Sequence, residues 1–120
     1  MARILVCDDS AFMRMVLKKV LIENGHEIVG EAGDGMEAVQ LYRQHKPDLI
    51  TMDITMPKMD GIQAVAHIHE ENPMVRIIMV TALGQKDIIT DALKAGASDF
   101  IVKPFNTEHV LTTIKNVLVS

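Results

Sequence analysis

The sequence predicts an α/β fold, a doubly wound parallel sheet of five strands in the order 2-1-3-4-5, made of five successive strand-helix units. Three observations carry this expectation. Short runs of apolar β-formers alternate five times with segments of helical period. The third and fourth runs are apolar almost throughout, as strands covered on both faces are. Four of the runs lead straight into a polar residue with useful chemistry: Asp8-Asp9, Asp53, Thr81 and Lys103. In an open parallel sheet all carboxyl ends meet at one edge, so these residues converge there.

Each element has a local reason. The first strand is Arg3–Cys7. A helix from Ala11 to Asn24 follows, with Met13, Val16, Leu17, Val20 and Leu21 on one face. Ser10 suits its N-cap and Gly25 its C-terminal stop. The second strand is His26–Glu31. The second helix, Gly35–Gln44, ends before Lys46-Pro47 because the residue ahead of a proline avoids helical geometry. Gly33-Asp34-Gly35 reads as a turn rather than a phosphate loop. The third strand is Asp48–Met52, followed by a loop, Asp53–Asp60, that holds Pro57. The third helix covers Gly61–Glu71 and the fourth strand Arg76–Val80. The fourth helix is Gln85–Ala95, stopped by Gly96, and the fifth strand is Asp99–Val102. The last helix, Thr107–Leu118, turns Val110, Leu111, Ile114, Val117 and Leu118 inward. Parallel strands joined this way need right-handed crossovers and helices on both faces. The winding is flavodoxin-like, with the first and third strands adjacent at the topological switch point.

Bulk properties narrow the function classes. The chain has 120 residues, enough for one domain with a core of its own. A formal net charge of −4 argues against nonspecific nucleic-acid or anionic-membrane binding. The lone cysteine, Cys7, lies inside an apolar strand and reads as core. The opening apolar run is too short for a signal peptide or membrane span. The expected setting is the cytoplasm, and the expected state a monomer.

Asp8, Asp9 and Asp53 at one edge repel one another, so they favour a proton or a cation. Mg²⁺ is the natural partner, being hard and oxygen-seeking. Asp53 is the candidate nucleophile, since a carboxylate can attack phosphorus to give an aspartyl phosphate. The rest of such a site needs only to position the donor and neutralise charge. Mg²⁺ held by Asp9 and Asp53 covers one phosphoryl oxygen, Thr81 donates to a second and Lys103 pairs with a third. The bland alternatives are a turn at Asp8-Asp9, a helix cap at Thr81 and a solvated lysine at Lys103. None of them accounts for all five residues.

These residues, with Asp8-Asp9-Ser10-Ala11-Phe12-Met13-Arg14, Thr51-Met52-Asp53-Ile54-Thr55-Met56-Pro57 and Phe100-Ile101-Val102-Lys103-Pro104-Phe105, resemble response-regulator receiver domains. They are most similar to single-domain chemotaxis regulators of the CheY type. The strand order 2-1-3-4-5 belongs to that family, so it arrives with the resemblance rather than from strand counting alone. The resemblance implies that residues 1–120 form one receiver with no output domain. It implies Asp53 as phospho-acceptor and Asp8 and Asp9 as Mg²⁺ ligands, with the main-chain carbonyl of Thr55 as a further ligand. Thr81 and Lys103 read the phosphoryl group. Phe100 takes the aromatic switch position, acting by ring packing alone, and Lys103–Pro104 is cis. The implied protein is a signalling module, not an enzyme. It takes phosphoryl from a histidine kinase and signals to a flagellar motor switch protein, with a phosphatase as a further partner. The alternatives within this class are a phosphorelay intermediate, a phosphate sink, or the receiver of a longer regulator.

Other classes fit less well. A haloacid-dehalogenase phosphatase needs an acid two residues after the nucleophile, where this chain has Thr55. A flavodoxin needs a first loop rich in Ser, Thr and Gly, and Asp8-Asp9 repels a flavin phosphate. The nine methionines read mostly as core filler, with Met13, Met56 and Met59 as a candidate adaptable docking surface. His67 and His69 point different ways on one helix and form no metal pair.

Overall fold

In the computed structural model, which describes residues 1–119, five strands and five helices alternate strictly along the chain. They are β1 (Arg3–Cys7), α1 (Ala11–Glu23), β2 (Glu27–Ala32), α2 (Gly35–His45), β3 (Leu49–Met52), α3 (Gly61–Glu71), β4 (Arg76–Thr81), α4 (Lys86–Ala95), β5 (Asp99–Val102) and α5 (Thr107–Leu118). The sheet is wholly parallel in the order β2-β1-β3-β4-β5, as expected.

Alternation along the strands builds two cores. Ile4 and Val6 of β1 and Ile78 and Val80 of β4 face one side with Leu49 of β3. There they meet Leu17 and Leu21 of α1 and Val110, Ile114 and Val117 of α5. Leu5, Cys7, Ile50, Met52, Ile77 and Met79 face the other side. There they meet Val39 and Tyr42 of α2, Val65 and Ile68 of α3, and Ala92 of α4. A period of two in the strands and of 3.6 in the helices fixes which face of each element is buried, and right-handed crossovers set the side of the sheet each helix covers.

Local chemistry sets the helix ends. Ser10, Asp34, Asp60 and Asn106 each accept the backbone N–H of the third residue of the helix they cap. Gln85 makes no such bond at the start of α4. The boundaries differ from expectation by a residue or two. Helix α1 ends at Glu23, and Gly25 follows in the left-handed region at φ +86°. His26 is not in β2: its N–H caps the carbonyl of Leu21, and its Nδ1 accepts from the Ala2 N–H at 3.1 Å. Asp48 precedes β3, where its carboxylate accepts from the Arg3 N–H. Helix α2 reaches His45 because Lys46 takes the left-handed conformation, which turns the chain before Pro47. Met56 is buried in the core, so it is not a free docking surface, whereas Met59 is half-buried against that core. Leu111 is only half-buried, whereas Thr113, not foreseen, is buried. None of the described helices is long and apolar enough to cross a membrane.

Candidate functional site

The site lies just past the carboxyl ends of β1, β3, β4 and β5. Its residues leave their strands yet remain tied to the neighbouring one. The Asp8 N–H donates to the Ala32 carbonyl, Asp53 to that of Cys7 and Lys103 to that of Thr81, all at 2.8–2.9 Å. The backbone ladder thus extends one residue beyond each strand and holds these side chains on rigid supports.

Asp8 and Asp53 are buried, and Asp9 beside them is exposed. Carboxylate oxygens of all three lie within 4.8 Å of one another. Lys103 reaches into this cluster, its Nζ 2.7 Å from Asp8 Oδ2 and 3.4 Å from Asp53 Oδ2. One ammonium facing three carboxylates leaves a net negative, all-oxygen donor set, which suits a hard divalent cation. The Thr55 carbonyl belongs to the same loop, and no described hydrogen bond takes it up.

The remaining oxygens are organised. Asp8 Oδ1 accepts from the Ser10 N–H at 2.9 Å, and Asp53 Oδ1 from the Ile54 N–H at 2.8 Å. Burial pushes the Asp53 carboxyl up from its ordinary value; the Asp8 charge adds to this, and Lys103 opposes it. Burial would lower the Lys103 ammonium, but its hydrogen bond to Asp8 and the charges of Asp53 and Asp8 hold it above the usual value. The result is a buried carboxylate that is more basic than usual yet has a cation beside it.

Thr81 closes β4, almost wholly buried, and its Oγ1 accepts from the Leu83 N–H at 3.1 Å. It is therefore a turn former and not the cap of α4, which is Gln85. That bond leaves the hydroxyl proton available. Phe100 is half-buried and packs against the core on the α2–α4 side of the sheet. The Lys103–Pro104 bond is cis, as expected.

Two features escaped sequence reasoning. A Cβ on Gly61 would lie 1.9 Å from the Asp53 carbonyl oxygen, and one on Gly35 2.0 Å from that of Met59. The starts of α2 and α3 therefore press directly on the loop that carries Asp53, and only glycine fits. The Asp60-Gly61 pair hinted at a helix start but not at this approach. The second feature is Arg14, whose guanidinium donates to the Asp8 carbonyl at 2.6 Å. Its place in the Asp8–Arg14 motif carries no sign of that bond.

The sequence matches the response regulator receiver domain over residues 4–115. The chain belongs to the receiver-domain family. It is 53% identical to the chemotaxis protein CheY of Bacillus subtilis over 116 residues, 97% of each chain. It is 45% identical to the transcriptional regulatory protein PdtaR of Mycobacterium tuberculosis over 113 residues, which are 94% of this chain and 55% of that one. Among solved structures it is similar to the CheX–CheY–BeF3–Mg²⁺ complex from Borrelia burgdorferi. That match has a TM-score of 0.95 at 41% identity and covers 98% of this receiver and 90% of the other chain. Similar receivers thus occur both alone and within a longer regulator.

Proposed function

We propose that this receiver is phosphorylated on Asp53 by a histidine kinase and that the phosphoryl group changes what its surface binds. The observation that carries this reading is the pairing of a buried, unusually basic Asp53 carboxylate with the Lys103 ammonium at 3.4 Å, inside a three-carboxylate cluster.

A carboxylate oxygen of Asp53 attacks phosphorus in line with the bond to the donor imidazole nitrogen. The O–P bond forms as the P–N bond breaks, and its electron pair returns to the imidazole. Lys103 neutralises charge on one equatorial oxygen, and the Thr81 hydroxyl donates to another. Asp8, Asp9, Asp53 and the Thr55 carbonyl are the groups that would hold Mg²⁺. When bound, that ion supplies charge neutralisation at the phosphoryl oxygens. Lys103 keeps Asp53 ionised for attack, while Ser10 and Ile54 fix the directions of the carboxylates.

The protein is a signalling module that assists only its own phosphorylation and dephosphorylation. Thr55 stands where an aspartyl-phosphate phosphatase would keep its acid. Full-length likeness to CheY supports a chemotaxis role, with a flagellar motor switch protein as output partner. The complex of a similar CheY with CheX supports a phosphatase of that type as a second partner. Likeness to PdtaR supports the alternative that the fold serves a longer regulator. The switch runs from Thr81 to Phe100. Phosphate draws the hydroxyl inward, the ring fills the vacated space, and the surface of α4, β5 and α5 is reshaped. The test is titration of a motor-switch peptide with and without beryllofluoride and Mg²⁺, in wild type and Thr81→Ala. Tighter binding in the liganded wild type alone is expected. Equal affinity in all four conditions rules out the switch.

A further inference from the structure

Arg14 stands in the second turn of α1, one helical turn from the acidic cluster, and the proposed chemistry leaves it unused. Its side chain is largely buried. One guanidinium nitrogen donates to the main-chain carbonyl of Asp8 at 2.6 Å. Another donates to Glu31 on the edge strand β2 at 3.1 Å. Glu31 also takes Lys18 Nζ at 2.7 Å, and the hydrogen bond from Lys18 is the first of the causes that hold its carboxyl below the usual value. Arg14 is therefore clamped from outside by a firmly ionised acid.

The Asp8 carbonyl is the oxygen of the Asp8–Asp9 peptide. That peptide is planar, so fixing its oxygen also fixes the nitrogen and Cα of Asp9. The other polar groups of Asp8 are already committed, to Ala32, Ser10 and Lys103. Asp9 differs: it is exposed, and no described hydrogen bond holds its carboxylate. Its aim depends on the peptide from which it hangs.

We infer that Arg14 is a positioning residue: its hold on the Asp8 carbonyl aims the Asp9 carboxylate, and so sets how tightly the acidic cluster binds a divalent cation. This rests on the cation reading given under Proposed function. Simple charge counting gives the opposite sign. A guanidinium near the cluster repels an incoming cation, so its removal should tighten binding. Positioning predicts that removal weakens it, because outer-shell groups that orient ligands typically contribute 10- to 100-fold in affinity. The sign of the change separates the two.

The experiment is calorimetric titration of the metal-stripped protein with Mg²⁺ alone, in wild type, Arg14→Ala, Arg14→Lys and Arg43→Ala. Arg43 pairs with Glu71 far from the site, so its loss matches the charge change without touching the clamp. Circular dichroism melts without metal establish that each variant folds, and Arg14→Lys carries the test if Arg14→Ala does not. The expected result is about tenfold weaker Mg²⁺ binding in Arg14→Ala, a smaller loss in Arg14→Lys, which cannot span both acceptors, and wild-type affinity in Arg43→Ala. Wild-type or tighter binding in Arg14→Ala or Arg14→Lys overturns the inference while leaving the cation reading intact. No Mg²⁺ binding by the wild type overturns both.

Discussion

Replacing Lys103 with methionine keeps the apolar stem and removes the one ammonium that faces Asp8 and Asp53. In the wild type those two ion pairs measure 2.7 and 3.4 Å. At an effective dielectric constant near 20 they correspond to a gross attraction of about 6 and about 5 kcal/mol. Desolvation of the three groups offsets much of this, and removing one partner from a buried pair usually destabilises by about 3–5 kcal/mol. Burial already holds Asp53 above its ordinary value, and losing the cation raises it further. We expect about 3 kcal/mol at pH 7.5 without divalent cations, or a melting temperature lower by about 10 °C. In the variant the folded Asp53 carboxyl lies above its unfolded value, so the folded state binds more proton and stability falls as pH rises through the carboxyl range. The deficit is therefore small near pH 4.5 and full at pH 7.5. In the wild type the raised Lys103 ammonium keeps its contribution at neutral pH and loses it as pH rises toward its folded value. Added Mg²⁺ narrows the gap, because the carboxylates that lose the ammonium hold a cation more tightly in the folded variant than in the wild type. Calorimetric melts at both pH values give the comparison. An unchanged melting temperature, or a drop equal at pH 4.5 and 7.5, refutes the reasoning.

Asp53→Asn is expected to stabilise the fold at pH 7, since burial disfavours the charge it removes. The gain should vanish as pH falls below the ordinary carboxyl value, where both forms are neutral; urea titrations at pH 7 and pH 3.5 measure it. Asp9→Ala should melt at or slightly above the wild-type temperature while losing Mg²⁺ binding, because like-charge repulsion is relieved; unchanged affinity in a calorimetric titration counts against the cluster as a cation site. Gly61→Ala places a methyl group 1.9 Å from the Asp53 carbonyl oxygen, so α3 or the end of β3 must shift. We expect about 1–3 kcal/mol lower stability and slower phosphorylation, where a merely destabilised site would keep its rate below the melting point.

The strand ends were legible because each is a short apolar run broken by a charged or hydroxyl residue, a purely local signal. The two core faces followed from the same runs: Ile4 and Val6 alternate with Leu5 and Cys7 in the sequence as in space. Boundaries slipped where tertiary bonds decided them. His26 is claimed by Leu21 and Ala2 rather than by the β2 ladder, and Lys46 adopts a left-handed turn that its side chain does not advertise. The docking role weighed for Met56 failed because the close approaches at Gly35 and Gly61 draw its loop onto the core. Arg14 is invisible to pattern reading because its partners, Asp8 and Glu31, are brought together only when α1 crosses over the β1–β2 edge. Acidic and basic site residues announce themselves by position, whereas groups that aim them do so only through distance.

The most direct test of the central claim is intact-mass spectrometry after incubation with a small phosphodonor such as acetyl phosphate, with Mg²⁺ or with chelator. Phosphorylation at Asp53 predicts one added phosphoryl group on the wild type, only with Mg²⁺, and none on Asp53→Asn. An equal mass increase on Asp53→Asn, or none on the wild type with Mg²⁺, contradicts it.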